Sequence, residues 1–334
     1  MTAERSDRVL GCLLGGAIGD ALGAGVEFMS WAEIESTFGP EGVRDFTPDY
    51  GHEAPITDDT QMTLFTAEGL LEAAANGTEP VEEVWAAYRR WYHTQGGDLP
   101  EGVDPLFGLL AVPELHEDRS PGNTCMSSMA AGVPGTREEP LNDSKGCGGV
   151  MRVAPVGLIA SSDYEAFWLG CDTAVLTHGH EDGWTPAGVM ASMVYRLVCG
   201  GELAMSLVWG LNKVHEQGGG IQTATAVEGA ISMCSRLTSE GVAIGPEHLE
   251  SLGGAWVGEE ALAIAVAAVL AEPDPNEALL LAVNHGGDSD STGAIAGNLL
   301  GAHYGASALR ADWRERVELA DVITEMAGRL LGIA

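Results

Sequence analysis

The sequence predicts an all-α fold, and three observations carry that reading. Segment after segment places apolar residues at the helical period. No run alternates apolar and polar residues between hairpin turns, as half-buried strands do. Glycines recur every fourth residue in two places, at 11, 15, 19 and 23 and again at 293, 297, 301 and 305. Four-residue spacing puts each set on one helix face, where missing side chains allow close backbone approach. Glycine costs roughly 1 kcal/mol per position inside a helix, so two such stripes need a packing reason. We read both striped helices as central and buried.

In chain order, the first helix is expected over 7–25. A membrane helix with a small-residue stripe is the competing reading, and Asp20 in its middle and Glu27 just after it argue against that. Helix-period patterns follow at 59–75, 81–92, 164–176, 187–198, 204–215, 223–237, 259–270, 276–283 and 313–331, with the second striped helix directly after Thr292. Residues 93–147 differ. They hold six of the fifteen prolines and show weak periodicity, and a long irregular stretch inside a domain is more often functional than idle. Length alone suggests two domains for 334 residues. Two acidic motifs near opposite ends would instead close one domain over 1–334 if they meet.

The chain carries 49 acidic and 16 basic residues, a formal charge of −33. Such a chain repels polyanions, which argues against broad nucleic-acid or anionic-membrane binding, while a local pocket can still hold one anionic group. Its six cysteines include no Cys-x-x-Cys pair and read as reduced thiols. The N-terminal residues lack the pattern of a signal peptide, so a cytoplasmic protein is expected, with a monomer favoured.

Chemistry concentrates at 284–292, Asn-His-Gly-Gly-Asp-Ser-Asp-Ser-Thr. Asp288 and Asp290 alternate with Ser289, Ser291 and Thr292, packing hard oxygen ligands into one turn behind two glycines. An elaborate helix cap would use the same residue types, although one cap needs only one of them. Thr57-Asp58-Asp59-Thr60 heads another helix. With Gln61 three residues after Asp58, a capping box is the plain reading there too. Adjacent Asp58 and Asp59 repel each other, and a cation would relieve this more fully than a helix dipole. Oxygen-only ligands select Mg²⁺, Mn²⁺ or Ca²⁺ over zinc. The ligand set is Thr57, Asp58, Asp59, Asp288, Asp290 and Ser291, with Thr292 as a substitute for its neighbour. That is enough oxygen for two partly hydrated ions.

Other candidates are weaker alone. The glycine-rich loop from Ser144 to Arg152 can form a phosphate nest or a plain turn, and it matches neither the Walker nor the dinucleotide fingerprint. Arg152 reads as a structural ion pair. The Ser120-to-Cys125 stretch reads as a turn and a cap. His178-Gly179-His180 lacks partners for a soft metal site, so packing or substrate contact fits better. Glu27 is either a surface acid past a helix end or the one acid able to reach a site between the striped helices.

Together these pieces resemble the ADP-ribosylglycohydrolase family, through Gly11 to Phe28, Thr57 to Thr60, Pro121 to Thr124, Gly146 to Pro155, Thr177 to His180 and Gly286 to Gly301. The resemblance implies a compact orthogonal helix bundle with a binuclear Mg²⁺ or Mn²⁺ centre in a cleft. It places Thr57, Asp58 and Asp59 on one side of that centre and Asp288, Asp290 and Ser291 on the other. Glu27 matches an acid that positions the scissile ribose; Asn123, Gly146, Cys147, Gly148, Gly149, Met151 and His178 match residues that line ADP-ribose. Many members have Thr where this chain has Ser291, a mild departure. Arginine-specific members are similar here but carry an acid where this chain has Ser120, which leaves Asp118 as an imperfect substitute.

The implied reaction breaks a glycosidic bond at the anomeric carbon of the distal ribose, building oxocarbenium character. Metals would hold the ribose hydroxyls and a water, and Glu27, Asp58 or Asp290 would handle the proton. Two other classes share these features: a two-metal phosphohydrolase acting on a small nucleotide, and a non-catalytic ADP-ribose-binding or structural protein. Retention of every proposed ligand argues against the last.

Overall fold

A computed structural model describes residues 3–333. In chain order its α-helices are α1 Ala3–Gly23, α2 Trp31–Phe38, α3 Asp58–Asn76, α4 Pro80–Thr94, α5 Asn123–Ala131, α6 Ala154–Ile159, α7 Asp163–Val175, α8 Glu181–Val198, α9 Leu203–Gln217, α10 Ile221–Glu240, α11 Pro246–Glu250, α12 Gly258–Ala271, α13 Pro275–Val283, α14 Ser289–Tyr304, α15 Ala311–Arg316 and α16 Ala320–Leu331. Among the described residues there is no strand, only isolated bridges at Asp49–His52 and Gly146–Val257. The fold is all-α.

Helices α1 and α14 form the antiparallel centre. Gly11 meets Gly301, Gly15 meets Gly297, Gly19 meets Gly293, and Gly23 meets the backbone of Ser289 and Asp290. At each step an added methyl would overlap the opposite main chain, so the stripes are what let these helices touch backbone to backbone. The fourth pair corrects the expected second stripe. Gly305 lies beyond α14 at φ 88° against the Asp7 carboxylate, while Gly23 faces the first turn of α14. The apolar stretch Glu4–Val26 is long enough to cross a membrane, yet 89% of its 18-residue apolar window is buried inside the protein. Around this pair lie α8 and α12, the latter apolar on every face and buried from Ala261 to Val269.

Three expected boundaries move. Helix α8 starts six residues before Ala187 and runs through Pro186, which lacks the N–H that would bond the Asp182 carbonyl and so leaves one gap in the helical ladder. The expected 313–331 helix is two, parted by Leu319 at φ 58°. Helix α14 begins at Ser289 and absorbs the polar turn. Helices α2, α5, α6 and α11 were not expected, being too short to show a period.

Candidate metal and substrate site

The Gly23–Ser289 contact decides where the acids go. Glu27 follows α1 through the short helical turn Ala24–Val26, its N–H donating to the Gly23 carbonyl at 3.0 Å. The Phe28 N–H donates to the Gly287 carbonyl at 3.2 Å, which ties that turn to the loop before α14. Carboxylate oxygens of Glu27, Asp288 and Asp290 thereby lie within 4.8 Å of one another. Helix α3 brings Asp58 and Asp59 into the same cleft of about 400 Å³, whose walls also include Asn123, Gly146, Cys147, Gly148, Met151, His178 and Ser291.

Neither acidic motif works as a plain cap. Asp288 is the N-cap residue of α14, but its side chain caps nothing; Oδ2 accepts from the Cys147 thiol at 2.9 Å. At α3 the cap is Thr57, whose Oγ1 accepts from the Asp59 N–H. Gln61 completes no capping box; its amide bonds the Glu117 carbonyl and accepts from Trp91 Nε1. Among the described residues Asp58 accepts a single 3.2 Å bond from the Gly122 N–H, and Asp59 Oδ1 is buried with no partner.

Burial is the main force raising these carboxyls, and neighbouring acids add to it. Glu27 is pushed up to about 10 by desolvation, then by Asp290, Asp288, Asp58 and Asp20. Asp58, Asp59 and Asp288 are raised well above the carboxylate range by desolvation and Asp290. No basic side chain among the described residues lies within ion-pair distance of them. A cluster of buried acids with an orphaned oxygen and no counter-charge fits a hard divalent cation.

Thr57 is buried beside the acids, its N–H donating to Asp20 at about 3.0 Å and its hydroxyl placed between the α3 cap and the Asp59 and Asp290 carboxylates. Other assignments change. Thr292 is no substitute ligand, since its hydroxyl is held by His285 Nε2 at 2.8 Å and the Ala282 carbonyl. Gly149 faces Ala174 and the Gly183 carbonyl, not the cleft. The phosphate nest is partly closed, because the Cys147 N–H donates to the Trp256 carbonyl at 3.3 Å. Asn123 begins α5 and does not cap it. His180 caps α8 through Nδ1, whereas His178 lines the cleft. Arg152 is buried with no carboxylate within ion-pair distance among the described residues; its donors reach Thr177, Thr173 and sulfur atoms. Ser120 lines the cleft while Asp118 does not.

The sequence reading missed three residues. Asp20 on α1 accepts from the N–H groups of Thr57 and Thr60 and from the Thr60 hydroxyl, so one buried carboxylate of the first striped helix orients the head of α3. Its charge at mid-helix was the available signal. Phe28 and Trp256 stack at the cleft rim, with ring centroids 5.2 Å apart and an 18° interplanar angle. Phe28 lies inside the matched stretch, but nothing in the sequence pointed to Trp256.

The ADP-ribosylglycohydrolase family model matches residues 1–334. The chain belongs to the ADP-ribosylglycohydrolase family. It is 26% identical over 324 residues to the ADP-ribosyl-[dinitrogen reductase] glycohydrolase of Rhodospirillum rubrum, covering 94% of this chain and 91% of that protein. It is 24% identical over 361 residues to the ADP-ribosylhydrolase ARH3 of Bos taurus, covering 98% and 94%. A solved ADP-ribosylglycohydrolase-related protein complex superposes with a TM-score of 0.74 at 26% identity, covering 99% of both chains. The family and these relatives support an ADP-ribosylhydrolase, and the acidic group of this ADP-ribosylglycohydrolase family member is one that could hold a metal ion.

Proposed function

We propose that this protein is a metal-dependent hydrolase that cleaves the glycosidic bond between ADP-ribose and an acceptor, releasing ADP-ribose. The observation that carries the reading is the convergence of Glu27, Asp58, Asp59, Asp288 and Asp290 on one cleft without a counter-charge. Thr57, Asp58, Asp59, Asp288, Asp290 and Ser291 would hold two Mg²⁺ ions, Mn²⁺ and Ca²⁺ being the alternatives. When bound, the ions supply Lewis-acid polarisation of the ribose hydroxyls and of a water.

The remaining work falls to the chain. Glu27 stands beside Asp288 and Asp290 and suits a carboxylate that positions the ribose and takes or returns a proton; Asp58 and Asp290 are the other acids placed to do so. Asn123, the 146–148 turn, Met151 and His178 line the same cleft, suited to holding the ADP-ribosyl group.

Incubation with Mg²⁺ and a panel of arginine-, serine-, nucleobase- and O-acetyl-linked ADP-ribose tests the proposal. Free ADP-ribose should appear from at least one linkage and disappear with Asp290→Asn. Full activity after exhaustive chelation would overturn the metal requirement. Release of inorganic phosphate or AMP instead would favour a phosphohydrolase, and tight ADP-ribose binding without turnover a binding protein.

A further inference from the structure

Behind the cleft wall a buried cation acts on a buried imidazole through one hydroxyl. Arg152 is 1% exposed, and its guanidinium lies 4.3 Å from the Tyr88 ring centroid, an arrangement that eases burial of a charge arginine does not lose. Its Nη2 donates to Thr177 Oγ1 at 2.7 Å. Thr177 Oγ1 lies 2.8 Å from His178 Nδ1. His178 is 2% exposed and lines the cleft, and among the described residues its Nε2 has no partner.

The direction of this chain follows from counting donors. Arginine can only donate, so Thr177 Oγ1 accepts from it and must place its own hydrogen elsewhere. The Ala174 carbonyl is a poor recipient: it stands 3.4 Å away and already accepts the Thr177 and His178 N–H groups at 3.2 and 3.1 Å. The hydrogen therefore goes to His178 Nδ1, which makes Nδ1 an acceptor and leaves the ring proton on Nε2. Burial, with the Arg152 charge second, holds the imidazole down to about 3, so the ring stays neutral. Gly148 matters here as well. A methyl there would stand 2.8 Å from His178 Cε1 and 2.9 Å from Cys125 Sγ, so only glycine lets the ring lie against the turn.

We infer that Arg152, through Thr177, locks His178 in its Nε2–H tautomer, so that the wall offers a neutral donor to an oxygen of the bound ADP-ribosyl group. The inference rests on the proposed substrate and assigns Arg152 and Thr177 as positioning residues. It also explains a buried arginine with no acid within ion-pair distance among the described residues: a carboxylate would accept the arginine's hydrogens and leave the hydroxyl free to turn. An Nε2–H nitrogen cannot ligate a metal or act as a base, so His178 offers the cleft a donor.

Nitrogen-15 NMR of histidine-labelled protein reads the tautomer directly. Without ligand, His178 should show protonated Nε2 and bare Nδ1 across the neutral pH range, and the Nε2 resonance should move when ADP-ribose binds. Thr177→Val should release the lock and weaken ADP-ribose binding about tenfold, the scale of one hydrogen bond to a charged group, while Thr177→Ser restores both. An Nδ1–H form in the parent protein overturns the inference, whether or not the enzyme hydrolyses its substrate. So does an Nε2 resonance that stays put when ADP-ribose is bound. A locked tautomer with no ADP-ribose binding under any condition overturns both the donor role and the proposed function.

Discussion

Gly15 and Gly297 face each other so closely that a methyl on either would fall inside the other's carbonyl oxygen. This contact sits midway along α1 and α14, and Glu27, Asp288 and Asp290 hang from one end of that pair. Two effects oppose each other in Gly15→Ala or Gly297→Ala. Alanine favours the helix by roughly 1 kcal/mol. Overpacking against backbone costs about 1–3 kcal/mol, and here the obstacle is main chain on a helix that cannot rotate away. We expect net loss of stability in denaturant titration, and weaker Mg²⁺ binding as α14 shifts against α1. Gly229→Ala, with open space around it on α10, serves as the control and should be neutral or stabilising.

The metal-free protein should show an inverted pH dependence. Asp20, pushed up to about 7 mainly by burial, and Glu27, pushed up to about 10 mainly by burial, hold protons in the folded state that the unfolded chain releases near its ordinary carboxylate values. Where the folded state binds more protons, stability falls as pH rises. The loss begins above the unfolded values and continues up to the folded ones. Metal-free protein should therefore melt at a higher temperature at about pH 5.5 than at about pH 8. Saturating Mg²⁺ should shrink that difference, because a cation favours the ionised acids. Glu72, half-buried and raised to about 7 on the far part of α3, contributes the same slope with or without metal. A thermal-shift series with and without chelator reads both, and a Mg²⁺-independent slope would place the effect outside the cleft.

Glu27→Gln separates chemistry from binding. A carboxylate that positions the ribose or moves a proton acts mainly in the transition state. The substitution keeps the shape and removes an ionisable group that acids surround among the described residues. We expect kcat to fall on the order of 10²-fold or more, with ADP-ribose affinity within a few-fold. The folded state should lose no stability. Steady-state kinetics and calorimetry check it, and parent-like turnover would remove Glu27 from the mechanism.

The Phe28–Trp256 stack makes a separate test at the rim. Both rings are exposed, Phe28 at 69% and Trp256 at 44%, although they are large apolar groups. Phe28 also adopts φ 71°, a left-handed conformation a bulky residue takes only when neighbours hold it. Its bond to Gly287 does so, and the Asp288 N–H bonds the Gly254 carbonyl two residues before Trp256. An aromatic pair contributes about 0.5–1.5 kcal/mol beyond burial. Trp256→Ala should cost about that much in stability, and raise KM for acceptor-bearing substrate up to about tenfold with little change in kcat. An unchanged KM across the whole panel would make the stack structural only.

Sequence alone determined the helical class, the central place of both striped helices and the identity of the acids, for physical reasons that are local. Helical period, glycine spacing and the chemistry of oxygen ligands are all written within a few residues. Tertiary structure decided what each polar group does. Thr292 looks like a substitute ligand in sequence, but His285 and the Ala282 carbonyl hold its hydroxyl, while Asp20, distant in the chain, orients the Thr57 backbone at the head of α3. Arg152 reads as half of an ion pair in sequence, yet folding put the Tyr88 ring and Thr177 around it and, among the described residues, no carboxylate within ion-pair distance. Trp256 carried no sequence signal because its meaning depends on Phe28, brought beside it by the loop before α14. A side chain's role is set by which hydrogen-bond and charge partners remain after packing, and those partners are chosen by the fold.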